Sequence, residues 1–312
     1  MENINETSTD FFLMGLFPPS RFGLFFFILI FLIFLMALFG NLSMIILILL
    51  DTHLHTPMYF LLSQLSFMDL NFISNIAPRM ISDYLFDNKS ISFIGCGIQS
   101  FLFIALAGAE GLILASMAYD RYVAICFPLH YSIRMSKRVY MLMITGSWIM
   151  GSINSCAHTL YALHIPYCGS RNINHFFCDV PAMLTLACMD TWVYEYTVFV
   201  STSLFLVCPF IGTACSYGRV LHAICCMRST EGKKKAYSTC STHLTVVTFY
   251  YAPFVYTYLR PRSFRSPTED KVLAVFYTIL TPMLNPIIYS LRNKEVMGAL
   301  RRVIQRICSV KK

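Results

Sequence analysis

The chain has 312 residues, of which 56% are hydrophobic and only 13% are charged. Soluble domains are about 45–50% apolar and about 25% charged, so this composition excludes a soluble protein, and the aromatic content of 15% excludes a disordered chain. An integral membrane protein remains, and the net charge of +8 has to be interpreted from the positions of its charges.

Seven apolar runs lie along the chain between charged or turn-rich segments. A helix needs about 20 apolar residues to cross a bilayer, so each run is a potential span. The second, third, sixth and seventh contain polar residues, which are costly at membrane depth unless they face a bundle interior or water. We therefore predict an all-α membrane protein, a bundle of seven transmembrane helices. The runs cover Phe22–Leu50, Met58–Met80, Ile94–Tyr119, Val139–Leu160, Tyr194–Leu221, Leu244–Tyr258 (with a helical extension from Ala236) and Val272–Leu291.

The Lys and Arg residues orient these helices. With the N-terminus outside, 16 of the 24 fall on the cytosolic side, in the loops after the third and fifth runs and in the tail. Cytosolic loops are enriched in positive charge and the inner leaflet is anionic, so the charge indicates membrane lipids as partners and not nucleic acid. The predicted organisation is an extracellular segment at 1–21, a transmembrane domain at 22–291 and a cytosolic tail at 292–312 with a short amphipathic helix.

Sequons for N-glycosylation occur on the predicted outer side. Asn5-Glu6-Thr7 lies in the N-terminal segment and predicts a glycan at Asn5. Asn88-Lys89-Ser90, in the loop after the second run, makes Asn88 a second candidate. Asn41-Leu42-Ser43 has the same pattern but lies within the first run, where it cannot be used.

Four cysteines also fall on the outer side, and they allow three pairings. We favour Cys96 with Cys178, which would tether the long loop before the fifth run across the mouth of the bundle. Cys168 with Cys188 would then close a small loop. The other cysteines lie in the runs or on the reducing cytosolic side, where disulfides are rare.

Several polar residues stand at defined depths within the runs. Asp120-Arg121-Tyr122 follows the third run directly, and there the carboxylate can hold the guanidinium until another group competes for it. Pro286, after Asn285 in the seventh run, frees a backbone carbonyl and permits a kink. Together these features resemble the rhodopsin-like (class A) G-protein-coupled receptors. The further markers of that resemblance are Asn41, Asp69 and Trp148, and Glu110 is a second acid at membrane depth.

Longer stretches are similar to the signature set of vertebrate olfactory (odorant) receptors of the tetrapod-type (class II) group. The resemblance covers about Phe11 to Arg302. Where the family commonly has Phe-Tyr-Gly, this chain has Tyr-Tyr-Ala at 250–252; Tyr251 aligns with the family's switch tyrosine, and Ala252 bears on the flexibility of helix six and the local pocket shape. The matching stretches are LHTPMYFLL (54–62), MAYDRYVAIC (117–126), SY (216–217), KAYSTCSTHL (235–244) and PMLNPIIYSLRNKEV (282–296).

The resemblance implies a switch at the cytosolic end of the bundle. Arg121 is expected to leave Asp120 on activation and to meet Tyr217 and the G protein. The alternative is a plain surface ion pair, worth about 0–1 kcal/mol. The residues expected to serve the switch and the coupling to the G protein are Asp120, Arg121, Tyr122, Tyr217, His243, Asn285, Pro286 and Tyr289.

Two interpretations remain open for Asp69 and Glu110. Their oxygens could hold a sodium ion, because hard cations prefer oxygen ligands. They could instead hydrogen-bond with Asn41 and Asn285 as structural links between helices. In the absence of an ion, one of the two acids is expected to be protonated, since neighbouring buried carboxylates cannot both ionise cheaply. No other cofactor is expected.

By the same resemblance, the ligand cavity should lie in the outer half of the bundle. Its expected residues are mostly aromatic and aliphatic with a few hydroxyls and no fixed charge, which is typical of small-molecule pockets. We therefore expect a neutral, semi-volatile ligand; the alternative is that these side chains only pack helix against helix. The expected ligand-binding residues are Phe103, Ile104, Ala107, Gly108, Ser201, Thr202, Phe205, Tyr251, Phe254, Val255, Tyr258, Val275 and Thr278, with Asn154 and His158 as lesser candidates.

The function implied by the resemblance is that of an odorant receptor and not of an enzyme. It would activate a stimulatory, olfactory-type G protein and raise cAMP, at the plasma membrane of olfactory sensory neuron cilia. One alternative is the same receptor fold sensing an endogenous metabolite outside the nose, which the tissue of expression would separate. Another is a small transporter or channel, which internal repeats would favour; no such repeat is visible in the sequence.

Overall fold

Eight long helices make up most of the computed structural model, which describes residues 10–16, 20–261 and 264–310. Shorter helical segments at Thr52–Leu54, Pro128–His130, Tyr131–Arg134 and Val180–Leu184 lie in the loops. The long helices are α1 (Arg21–Leu50), α2 (Pro57–Phe86), α3 (Phe93–Cys126), α4 (Lys137–His164), α5 (Trp192–Cys226), α6 (Thr230–Leu259), α7 (267–292) and α8 (Lys294–Val310).

Local sequence signals explain where several of these helices begin. The side chains of Ser20, Ser92 and Ser229 accept hydrogen bonds from backbone N–H groups in the first turns of α1, α3 and α6. Such caps satisfy donors that have no partner within the helix. Pro57 opens α2, at a position where its missing N–H costs nothing.

Two helices change their winding where they border the interior. In α5, residues Ser203–Val207 are π-helical, and in α7 the same holds for Phe276–Leu280. Single π-turns inside α-helices are frequent at functional sites. In α5 this turn carries Phe205 and Leu206 to the wall of the cavity described below.

By length and composition, four helices of the described part are apolar enough to cross a membrane. They are α1, α3, α5 and α7, and α1 exposes large apolar side chains such as Phe22, Phe25 and Phe39, as expected of a helix that faces lipid. The helices α2, α4 and α6 have 28 to 30 residues but a more polar composition. The multi-pass character predicted from the sequence is thus supported most strongly by the first, third, fifth and seventh runs.

Helix α3 lies at the centre of the bundle and packs against α2, α4, α5 and α6. Its contact with α4 is unusually close, because a Cβ atom at Gly151 would lie 2.5 Å from the carbonyl oxygen of Ala105 and 2.9 Å from the nitrogen of Ala109. On the other side, Asn41 Nδ2 donates to the carbonyl oxygen of Pro282 at 2.8 Å and joins α1 to α7.

A three-stranded sheet covers one end of the bundle, and no pattern in the sequence predicts it. The strands are β1 (Phe11–Leu13), β2 (Ser90–Ile91) and β3 (Asn172–Ile173), with β1 in the middle. It is antiparallel to β2 and parallel to β3. Strands of two or three residues leave too little periodic pattern to detect, so the all-α description applies to the bundle but not to its cover.

Two disulfides lie beside this sheet. Cys96 at the start of α3 is bonded to Cys178, with a Cα–Cα distance of 5.4 Å, and Cys168 is bonded to Cys188, with a Cα–Cα distance of 5.5 Å. These are the two pairs that we favoured from the sequence. The first holds the loop between α4 and α5 against the end of α3.

Helix α8 follows α7 directly and is fastened to the loop between α1 and α2. Arg302 contacts the Asp51 carboxylate through Nη2 at 2.7 Å and through Nε at 2.9 Å. Tyr59 in α2 donates to Glu295 Oε2 at 2.8 Å. Val296 of α8 is buried, so the helix after the seventh run packs on the bundle through its apolar side.

Candidate functional site

A cavity of about 580 Å³, its open mouth included, lies between α3, α4, α5, α6 and the loop before α5. Aromatic and aliphatic side chains form most of its wall, with a few hydroxyls, one imidazole, one amide and one carboxyl. A cavity of this make-up suits a small, mainly apolar molecule. Its lining residues are Phe103, Ile104, Ala107, Gly108, Asn154, His158, Asp179, Val180, Pro181, Tyr194, Val198, Ser201, Thr202, Phe205, Leu206, Phe254 and Tyr258.

Most residues expected at the site lie on this wall. The cavity brings together nine of the expected ligand-binding residues and both lesser candidates in α4. The nine are Phe103, Ile104, Ala107, Gly108, Ser201, Thr202, Phe205, Phe254 and Tyr258.

The other four expected residues lie elsewhere. Tyr251 is buried in α6 and donates to the carbonyl oxygen of Gly111 in α3 at 2.7 Å. Val255 and Val275 pack against the apolar core. Thr278 is fully buried and its hydroxyl is bonded to a carbonyl oxygen of its own helix, so α7 adds no described residue to the wall of this cavity.

Six lining residues were not predicted from the sequence. Tyr194, Val198 and Leu206 lie in α5 at spacings of about one or two turns from Ser201 and Thr202, so helical periodicity could have identified them. Val180 and Pro181 belong to the loop, as does Asp179. The signal for these three is their position after Cys178, whose disulfide carries the loop to α3.

The polar centre of the cavity is His158, which lies between two hydroxyl groups. Its Nε2 is 2.7 Å from Ser201 Oγ, and its Nδ1 is 3.2 Å from Tyr194 Oη. Tyr194 Oη also lies 3.2 Å from the carbonyl oxygen of His158, and Ser201 Oγ lies 3.1 Å from the carbonyl oxygen of Val198. Buried polar groups are normally paired in this way, so the cluster holds α4 against α5 as well as facing the cavity.

Asp179 brings a carboxyl group to a cavity for which we expected no fixed charge. Its Oδ1 accepts a hydrogen bond from Tyr258 at 2.9 Å, which joins the loop to α6. Burial raises the pKa of Asp179 to about 7, although the bond from Tyr258 and the charge of Arg265 act to lower it. Near neutral pH the group is therefore protonated in a large fraction of molecules, and it does not act as a permanent negative charge.

At the other end of the bundle, the expected ion pair is formed. Arg121 Nη2 lies 3.1 Å from Asp120 Oδ2, and Tyr131 in the following loop donates to Asp120 Oδ1 at 2.7 Å. Tyr217 in α5 lies 2.6 Å from His243 Nδ1 in α6, so its hydroxyl is engaged with α6 and not with Arg121. The buried cluster around Tyr217 contains Ala118, Val220, Ile224 and Cys240, with Tyr122 packed against it.

The expected residues of α7 link it to α1 and α2. Asn285 Nδ2 donates to Asp69 Oδ2 in α2 at 2.9 Å. Pro286 packs closely on α1, since a Cβ atom at Gly40 would lie 2.9 Å from its Cγ. Tyr289 is buried, and its hydroxyl has no hydrogen-bond partner among the described residues.

Asp69 and Glu110 are both buried in the bundle. Asp69 Oδ1 has no hydrogen-bond partner in the described part of the chain. Asn41, the other expected partner, donates to backbone carbonyls and not to Asp69. Within residues 10–16, 20–261 and 264–310, no group of three or more His, Cys, Asp and Glu side chains is placed to hold a metal ion.

The remaining expectations concern the surface. Ala252 is exposed on α6 and is not among the residues that line the cavity. Asn88 is exposed, and its Oδ1 accepts from the Ser90 hydroxyl of the same sequon at 2.9 Å. Asn5 lies outside the described residues.

Comparisons with known proteins agree with one another. A family model described as olfactory receptor matches residues 30–307. The human proteins Olfactory receptor 2L8 and Olfactory receptor 2L3 are 81% and 80% identical to this chain over 311 residues, which is 100% of each chain. Olfactory receptor 2L13, also human, is 68% identical over 303 residues, 97% of each chain. The matched region includes both the cavity and the polar residues around Asp120 and Tyr217.

Proposed function

The chain belongs to the olfactory receptor family, a family of G-protein-coupled receptors and not of enzymes, and we propose that its odorant binds in the cavity between α3, α4, α5 and α6. The observation that carries this proposal is an apolar cavity with a small polar centre at His158 and Ser201. The ligand would be small and uncharged, bound by burial and one or two hydrogen bonds.

The protein is a multi-pass membrane protein, and we propose that it crosses the bilayer seven times with its N-terminus outside. The helices α2, α4 and α6, with 28 to 30 residues at about 1.5 Å each, are long enough to span about 30 Å of hydrocarbon. The two disulfides support an outer location for the loops that carry them, because disulfides persist in oxidising compartments. Asn5 and Asn88 would then be open to glycosylation, and the plasma membrane of sensory cilia would be the working location.

We propose that activation shifts a population between two arrangements of α6. In the arrangement described here, Tyr217 engages His243 and Arg121 engages Asp120. An odorant that binds the open arrangement better would displace α6, free both contacts and let Arg121 meet Tyr217 and a stimulatory G protein. It can shift the equilibrium only by its differential affinity for the two states.

For Asp69 and Glu110 we propose a sodium site as one role of the pair. The unpaired Asp69 Oδ1 supports it, because a hard cation would supply a partner for that oxygen. The hydrogen bond from Asn285 supports the competing structural role, in which Asp69 ties α2 to α7.

The proposed function is tested by cAMP measurements on receptor-expressing cells exposed to a broad odorant panel, with and without the stimulatory Gα subunit. We expect at least one odorant to raise cAMP only when that subunit is present. Receptor at the cell surface that raises cAMP with no member of the panel, or that signals equally well without the stimulatory subunit, would contradict the proposal.

A further inference from the structure

We infer that the cavity selects ligands that donate a hydrogen bond, hydroxyl compounds above all, and that Ser201 Oγ is the acceptor. This inference rests on the proposed function, because it names the ligand class of the same cavity. It follows from the number of hydrogens available to the cluster of His158, Tyr194 and Ser201.

The His158 ring is uncharged. Its residue is 5% exposed, both ring nitrogens contact hydroxyl groups, and no carboxylate in the described part of the chain hydrogen-bonds with it. A buried cation without a counter-ion is costly, so the imidazole carries a single N–H. The cluster therefore owns three hydrogens, one on the ring and one on each hydroxyl.

Four contacts compete for these three hydrogens. Two join the ring to Tyr194 and Ser201, and two join those hydroxyls to the carbonyl oxygens of His158 and Val198. If Nδ1 carries the ring hydrogen, Tyr194 donates to the carbonyl oxygen of His158 and Ser201 donates to Nε2. If Nε2 carries it, Tyr194 donates to Nδ1 and Ser201 donates to the carbonyl oxygen of Val198.

In both tautomers the hydroxyl hydrogen of Ser201 is used inside the protein. Its oxygen keeps at least one free lone pair, and Ser201 lines the cavity. Ser201 consequently offers an acceptor to a ligand and no donor. Tyr258, which also lines the cavity, donates its hydroxyl hydrogen to Asp179.

An alcohol can donate a hydrogen bond and a ketone cannot, and this is the property that Ser201 distinguishes. The alcohol hydroxyl can donate to Ser201 Oγ, whereas the ketone oxygen has only lone pairs and faces another lone pair there. Asn154 and Thr202, which also line the cavity, can donate as well as accept, and so can the Asp179 carboxyl when it is protonated; these groups do not separate the two classes. A single hydrogen bond is worth about fivefold to tenfold in affinity.

The test compares secondary alcohols with the ketones of the same carbon skeleton, such as 2-heptanol with 2-heptanone, as agonists in a cAMP assay. For the unmodified receptor we expect the alcohols to be about fivefold to tenfold more potent than their ketones. Ser201→Ala should remove this preference, and Ser201→Thr, which keeps the hydroxyl, should retain it. Ser203→Ala is the matched control, because Ser203 bonds to a carbonyl oxygen of its own helix and does not line the cavity.

Equal potency of the two classes, a preference for ketones, or an alcohol preference that survives Ser201→Ala would overturn the inference. The comparison on the unmodified receptor decides the matter even if Ser201→Ala fails to reach the cell surface. If surface-expressed receptor responds to no alcohol but responds to other odorants, the inference fails and the proposed function stands. Silence toward every odorant overturns both.

Discussion

At the scale of single residues, the polar side chains of the cavity do more than add polarity to an apolar wall. Asp179 ties the loop before α5 to α6 through Tyr258, and His158 ties α4 to α5 through Ser201. Both links cross between elements that surround the ligand space. A ligand that disturbs either link therefore acts directly on the relative positions of these helices.

Asp179 makes the stability of the receptor depend on pH. Burial raises its pKa from the ordinary value of 3.8 to about 7. Between these two pH values the folded chain holds a proton that the unfolded chain has lost. The free energy of unfolding therefore falls as pH rises from about 4 to 7, and the whole loss is present above pH 7. The charges of Arg265 and Asp270 oppose each other at this site.

We expect Asp179→Asn to raise the melting temperature of the purified receptor, and to raise it more at pH 8 than at pH 5.5. The gain in the free energy of unfolding from Asp179→Asn should be larger at pH 8 than at pH 5.5 by on the order of 2 kcal/mol. Asn keeps the acceptor for Tyr258, so the hydrogen bond itself is preserved. Asp190→Asn, at an exposed carboxylate of the same loop, is the control. A gain from Asp179→Asn that is equal at both pH values would show that its carboxyl does not titrate in this range.

At the scale of elements, the closeness of α3 and α4 fixes the width of the cavity, to which both helices contribute. Gly151 permits this closeness, since any side chain there would run into the backbone at Ala105 and Ala109. Gly146 lies in the same helix with no atom within 4 Å of the position that a Cβ atom would take.

The two glycines therefore predict opposite effects of one substitution. Gly151→Ala should force the helices apart and lower the free energy of unfolding by about 1–3 kcal/mol. Gly146→Ala should be neutral or raise it by up to about 1 kcal/mol, because alanine favours the helix. Thermal unfolding of the two purified variants measures this. Equal melting temperatures would mean that α3 and α4 do not depend on the close contact.

Sequence patterns predicted some elements of this molecule much better than others. Long apolar runs gave the helices α1, α3, α5 and α7, because hydropathy records burial in lipid directly. The strands β1, β2 and β3 are too short to show a period, and they pair residues that lie far apart in the chain. Neighbours of this kind become visible only when the helices are assembled.

The same distinction applies to the cavity. Positions in α3 followed from helical spacing, and Phe103, Ile104, Ala107 and Gly108 all line the wall. The candidates on α6 and α7 came from the resemblance, which does not fix how deep each residue lies, and Tyr251 and Thr278 lie in packed interior and not at the cavity. Asp179 reaches the cavity because a disulfide and the fold of its loop place it there, and the periodicity of the sequence describes neither.

At the scale of the whole molecule, the cavity and the contact of Tyr217 with His243 lie toward opposite ends of the same helices. Tyr258 borders the cavity near the end of α6, and His243 contacts Tyr217 about four turns earlier in that helix. Tyr251 lies between them and holds α6 to α3 through the carbonyl oxygen of Gly111. A rigid displacement of α6 is thus the simplest motion by which the proposed activation would connect the cavity to the other end of the bundle.

The proposal that the odorant binds in this cavity is tested most directly by the cAMP response to an activating odorant when a bulky side chain fills the cavity. Ala107 lines the cavity on α3, and Ala107→Phe should occupy the space and abolish the response, or raise the effective concentration at least tenfold, with normal surface expression. Ala157→Phe makes the same change at an exposed position of α4 and should respond like the unmodified receptor. An unchanged response in surface-expressed Ala107→Phe would contradict the assignment of this cavity as the odorant site.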